Sequence, residues 1–384
     1  MNRGIATFTL DEGKCPAWLF KRMVYLSKEI IDILIAELGP DEFIKRISHP
    51  VWFQSLGTVL AFDWNASGLT TVLTAALKEA IRGREKELGI FICGGKGKTS
   101  RKTPDEIQTW GEILSLPGGV ISNLKYNSKM AAKVDSALIQ DNFQIYHHSF
   151  FFSSSGAWAV VQQGMNVSLG RARRYHWYSK DISELISEPH TGIVSDIKLQ
   201  SPTLNLTAKQ SAQNRQISVE LVGSSNREIF RDIEILNKHF SKISQTLTFK
   251  NKQGELFSTL NLEDVEFKSH PVVLENFFES KYLKKILSKL VYQKPKNYEE
   301  LLSQEGVGPK TIRALSLVSE IIYGAKPSYQ DPARYSFAFG GKDGTPYPVD
   351  KKNYDDSILI LKKAILNSKL DIFEKKRILK RIKN

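Results

Sequence analysis

Asp135 and Asp141 stand six residues apart, and His147 and His148 follow close behind. Two carboxylates and an imidazole make the oxygen-rich set that holds Mg²⁺ or Mn²⁺ and activates a water against a phosphodiester. Asp63, in FDWNASG, offers a third carboxylate from a distance. The expected metal ligands are Asp63, Asp135, Asp141 and His147, and Asp135, Asp141 and His147 are also catalytic candidates. On a strand His147 and His148 point to opposite faces, so one of the two joins a given site. Buried, hydrogen-bonded histidines and helix-surface aspartates account for the same residues without a metal.

Two further stretches are built to hold phosphate. GRARRYHWYS, residues 170–179, interleaves Arg171, Arg173 and Arg174 with Tyr175, His176 and Trp177. Arginine clamps phosphate and stacks on planar groups, while Trp stacks on exposed bases, so Arg171, Arg173, Arg174 and Trp177 are candidate DNA contacts. Aromatics packed in a core with arginines at the rim are the other reading. CGGKGKTS invites comparison with a P-loop, but GxxxxGK[ST] would need glycine at 92, where Ile92 stands. What remains is a glycine loop whose Lys96 and Lys98 can meet a nucleic-acid backbone. A second Gly-Gly-Lys, ending at Lys342, adds one more candidate contact.

Residues 299–324 read EELLSQEGVGPKTIRALSLVSEIIYG, two helical patterns broken by Gly306-Val307-Gly308. Glycine permits positive φ and leaves no side chain between backbone and phosphate. Pro309 suits a first helical turn, whose open amides and dipole favour an anion. Lys310, Thr311 and Arg313 stand in that turn. Together Leu301, Leu302, Gly306, Val307, Gly308, Thr311 and Leu315 resemble the helix-hairpin-helix motif, which holds DNA backbone without reading sequence. The motif usually has a small residue where Ile312 stands, so the helices are expected slightly further apart. Helix-hairpin-helix glycosylases place a nucleophilic lysine after the glycines and an aspartate about 20 residues on. On that resemblance Lys310 and Asp331 are catalytic candidates, the amine needing a low-dielectric pocket to lose its proton.

Charge supports a polyanion partner. The net +13 is concentrated in residues 280–384, which hold 22 Lys/Arg against 11 Asp/Glu. Released counterions favour such a segment on nucleic acid. All six Trp lie between Trp18 and Trp177, which places a compositional border between residues 180 and 280. Cys15 and Cys93 are the only cysteines, too few for a disulfide scaffold or a cysteine-built zinc site. No apolar run reaches the roughly 20 residues of a membrane span, and the N-terminus lacks a signal-peptide pattern. A cytoplasmic protein without a membrane partner is expected.

The elements that must position these residues follow from periodicity. Apolar spacing predicts helices over 17–38, over 70–87, from Pro104, over 128–141 with Ser128 as cap, and over 226–242. A short helix behind Asp41 as cap and another at 181–187 are also expected. LGIFIC, at 88–93, has the length of a buried strand, and FQIYHHSFFF and AWAVVQQGMN flank a Ser-Ser-Gly turn. HPVWFQSLGTVLAFDWNASG reads as loop and short strand, residues 180–225 as mostly extended loop, and TLTFKNKQGELFSTL as a hairpin. From about 272 onward the pattern is helical apart from a loop at 325–350.

The expected fold is α+β: a mixed α/β body over 1–225, a connecting helix and hairpin over 226–279, and a basic, mostly helical module over 280–384. WFQSLGTVLAFDWNASG, GGKGKTSRKTPDEI, AKVDSALIQD, GAWAVVQQGMN and FAFGGKDGTPYPVD together resemble a conserved prokaryotic, archaeal-type family of unknown function that carries this hairpin. The residues imply a protein of DNA processing or repair that binds duplex or single-stranded DNA, with a metal-dependent nuclease centre in the body. A non-catalytic DNA-binding subunit docking a protein partner and a Lys310/Asp331 glycosylase or lyase are the alternatives.

Overall fold

The computed structural model describes residues 8–10, 14–60, 66–199, 202–241, 248–250, 256–258, 280–333 and six positions between 359 and 376. Asp63 and Lys342 lie outside them.

The chain opens with helices α1 (Ala17–Leu38), α2 (Pro40–Ser48), α3 (Pro50–Val59), α4 (Ala66–Ala80) and the single turn α5 (Glu85–Leu88). Strand β1 (Ile90–Lys96) leads through a 3₁₀ turn into α6 (Thr103–Ile113) and α7 (Gly118–Ala137). Strands β2 (Ile139–Gln140), β3 (Gln144–Ser153), β4 (Trp158–Asn166), β5 (Arg171–Tyr178), β6 (His190–Val194) and β7 (Leu204–Asn205) follow. After α8 (Ala212–Gly223), α9 (Asn226–Ser241) and the paired strands β8 (Thr248–Lys250) and β9 (Leu256–Ser258) come α10 (Lys281–Gln293), α11 (Tyr298–Ser303) and α12 (Pro309–Ile321). The expected α+β class is what forms.

β1, β3, β4, β5 and β6 make one antiparallel sheet in the order β1-β3-β4-β5-β6. Both faces are covered, which is why its strands read as apolar runs without clean alternation. One face presents Ile92, Phe151 and Val161 to Leu34, Phe43 and Leu73 of the first helices. The other presents Phe91, Phe150 and Trp177 to α7 and α8, in a cluster that continues into Leu301, Val307 and Leu315. The hairpin thus shares its apolar core with the sheet. Of the residues expected as a basic module over 280–384, those of α10, α11 and α12 contribute to this shared cluster.

Several local expectations change. PVWFQSLGTV forms α3, because Pro50 opens a helix whose Val51, Phe53 and Leu56 face the core. α2 is capped by Gly39, and Asp41 instead receives Ser153 and Lys180. α7 begins ten residues before Ser128, which sits inside the helix. The weak formers GGVISN concealed its start. ARRYHWY is strand β5, residues 212–223 are helical, and 181–187 hold turns.

Arg173 ties the segment after α12 to the sheet. Its Nη1 donates to Asp141 Oδ2 at 2.7 Å and to Asp331 Oδ1 at 2.9 Å, and its Nη2 donates to Asp331 Oδ2 at 2.8 Å. Tyr175 Oη also donates to Asp141, and the amides of Leu199 and Ala333 donate to Asp331. Beside this clasp, Asn205 N donates to Ser328 O at 2.8 Å, zipping the same segment against β7. Removing one partner of a buried pair leaves an uncompensated charge. Asp331→Ala is expected to cost about 3–5 kcal/mol of stability in urea titration, with hydrogen exchange showing residues 309–331 loosened first.

Candidate nucleic-acid interface

α11 and α12 meet at Gly306-Val307-Gly308. Gly306 has φ +87°, and Tyr282 Oη donates to its carbonyl at 3.0 Å. A Cβ there would stand 2.3 Å from Ile286 Cδ1. Val307 is buried and anchors the corner in the core. Gly308 is extended and caps α12 without a side chain, and a Cβ added to it would meet nothing within 4 Å. Pro309 opens the helix. The amides of Gly308, Lys310 and Thr311 have no partner among the described residues. Three donors therefore point along the positive end of a helix of 13 residues.

The body holds this corner in place. α7 carries one stripe, including Ser128, Ala131 and Asp135, against the sheet and a second, Tyr126, Lys129 and Lys133, against the hairpin. Lys133 Nζ donates to the carbonyls of Leu302 and Gln304, both at 2.6 Å, closing the C-terminus of α11. Burial brings its ammonium down to about 8, so it still carries its proton at neutral pH. Gln140 donates to Pro309 O at 3.1 Å and accepts from Arg313 Nε. Arg313, expected to grip phosphate, has its Nε turned toward the body. Lys310 stands half-buried in the open turn, Thr311 is buried, and Lys281, Lys284 and Lys285 line the exposed side of α10.

The other candidates are distributed differently from expectation. Arg173, Arg174 and Trp177 are fully buried and present nothing to a nucleic acid. Arg174 lies over the Phe53 ring and donates to His176 and Gln54, because β5 is a central strand covered on both sides. Arg171 at the strand end remains partly exposed, 3.4 Å from Asp196. Lys96 and Lys98 are exposed on the glycine loop.

Of the expected metal ligands the structure describes Asp135, Asp141 and His147, and each bonds a different set of partners. His147 Nε2 lies 3.1 Å from both Thr74 and Ser149 on the α4 side, and burial pushes the ring down to about 3, which keeps it neutral. His148 faces α7: its Nδ1 donates to Gln162 Oε1 at 2.9 Å and its Nε2 accepts from Ser128 at 2.8 Å. Asp135 accepts from Gln162, from Trp177 Nε1 at 3.1 Å and from His190 Nε2 at 2.5 Å. Asp141 is occupied by Arg173. Among the described residues no three His, Cys, Asp or Glu stand together as a metal site. Asp331, proposed to assist Lys310, already accepts from Arg173 and two amides. His190 was not singled out from the sequence: it stands alone in EPHTG, and only the fold brings it to Asp135, 55 residues away.

These features define an α+β protein with a helix–glycine–helix corner clamped on one face of its sheet. Residues 4–349 match the family described as protein of unknown function DUF763, and the chain belongs to that family. No curated protein and no solved structure matches it. No described helix is long and apolar enough to cross a membrane.

The two glycines of the corner should respond to a methyl group to different extents. Gly306→Ala is expected to cost about 1–2 kcal/mol for the left-handed backbone alone. Gly308→Ala should cost less, about 0.5–1 kcal/mol, because alanine is a poorer N-cap than glycine. Thermal denaturation distinguishes them.

Proposed function

We propose that this chain is a DNA-binding protein of DNA processing or repair, and that its corner is a helix-hairpin-helix gripping the phosphate backbone without reading bases. The open first turn of α12 carries the reading. Unpartnered amides, a bare Gly308 and the N-terminal dipole form an anion seat, and Lys310 stands in it. Exposed lysines on α10 extend the positive surface beside it, and phosphate contacts of this type position a protein on nucleic acid without regard to sequence.

Gly308→Asp tests this with fold and binding separated. Asp is a preferred N-cap, so the variant should match or exceed the parent in melting temperature. Its carboxylate would occupy the place of the phosphate, and binding to a labelled duplex at low salt should fall by about tenfold or more. Lys310→Ala should weaken binding for all sequences alike and lower the salt slope by about one. Unchanged affinity in Gly308→Asp would remove the reading.

A second reading, that the body cleaves what the hairpin holds, is favoured by the Asp135–His190 pair. Asp135 orients the imidazole as a carboxylate orients a general base, and His190 borders a cleft of about 560 Å³ that also contains Lys198 and Thr207. Hydrolysis of labelled DNA that survives EDTA and disappears in His190→Gln is the expected outcome. No cleavage by the parent protein under any condition would leave the binding reading alone.

A further inference from the structure

A cavity lies away from the hairpin, on the other side of the sheet. α4 turns one face into it, Gly68, Thr71, Val72, Ala75 and Lys78, at the spacing of a single helical stripe, and Arg82 follows in the turn beyond. Pro16, Leu19 and Phe20 form the facing wall, and the ends of β1 and β3 form the floor. Its volume is about 1140 Å³, enough for a ligand of nucleotide size or larger.

The floor is polar where a core would be apolar, and its groups are donors. Gly94 and Gly95, near the end of β1, have φ +86° and +146°, and a Cβ on Gly94 would stand 2.3 Å from His148 O. Lys78 Nζ donates to Gly94 O at 3.1 Å and to Glu106 Oε2 at 2.7 Å, leaving one ammonium proton. Tyr146 Oη accepts from Gln163 Nε2, so its own proton is unspent, and Lys96 stands 5.9 Å above the Tyr146 ring. The acidic groups are already engaged: Glu106 by Lys78 and the Gly94 amide, Glu79 by Arg82 at 2.6 Å. With Lys78 and Arg82 paired to these acids, the positive charge left on the floor is that of Lys96, which together with the unspent protons suits a guest bearing acceptors and negative charge. The wall of Pro16, Leu19 and Phe20 offers an apolar surface.

We propose that this groove binds a nucleoside 5′-monophosphate unit, its phosphate at Lys78, Lys96 and Tyr146 and its base against the Leu19–Phe20 wall. The unit is either a free nucleotide or the phosphorylated end of a strand. This site is independent of the hairpin.

Isothermal titration of the full chain with the four ribonucleoside 5′-monophosphates, a nucleoside and inorganic phosphate tests it. At least one monophosphate should bind, and nucleoside and phosphate alone should each bind about tenfold or more weaker, since each fills half the groove. Ala75→Trp places a ring in the groove from an exposed helix position, and Lys96→Glu reverses the floor charge at an exposed site. Both should weaken monophosphate binding by about tenfold or more with unchanged melting temperature. Gly308→Asp should leave it intact, which separates this site from the DNA-binding reading. Displacement of the bound monophosphate by a 5′-phosphorylated oligonucleotide, and not by its 5′-hydroxyl form, identifies a strand end as the guest. Displacement by neither identifies the free nucleotide. No binding at millimolar concentration, or equal binding by both variants, overturns the proposal.

Discussion

One guanidinium holds two distant carboxylates inside this protein. Asp141 comes from the turn between β2 and β3, Asp331 from the segment after α12, and Arg173 stands on the inner strand β5. Such a pair gains little over a well-packed apolar substitute, because desolvation opposes attraction. Its value is geometric. The fork accepts one arrangement of its partners, and any other leaves a buried charge bare. The hairpin therefore has one seat on the body.

That seat is reinforced by contacts that treat helix ends as ligands. Lys133 closes the carbonyl end of α11, and Gln140 reaches the first residue of α12. The carbonyls of Leu302 and Gln304 are thereby satisfied within the protein, while the amides of Gly308, Lys310 and Thr311 have no partner among the described residues.

The sheet has an apolar half and a polar half. Toward Phe151 and Phe152 its two faces are oily. Toward His147, Gln162 and Arg174 they carry hydrogen-bonded networks. Burying that many polar groups is costly unless each finds a partner, and most do, within the interior. The two clefts open where the polar half meets the surface: the groove under α4 and the smaller cleft at His190.

The sequence by itself determined the helices with strong periodicity, the strand at 88–93, the paired strands around Ser-Ser-Gly, the α+β class and the glycine corner. Each depends on neighbours a few residues apart, where spacing and backbone sterics decide. It left open whether 170–179 was a surface or a core. Alternating arginines and aromatics fit both, and only the placement of β5 between β4 and β6 resolved it. Asp135, Asp141 and Asp331 were recognised as unusual carboxylates, yet their partners, His190, Arg173 and the Leu199 amide, lie dozens of residues away or more. Local pattern carries no information about such distances. The groove under α4 was equally illegible, because its wall and floor come from three segments that meet only when the sheet closes.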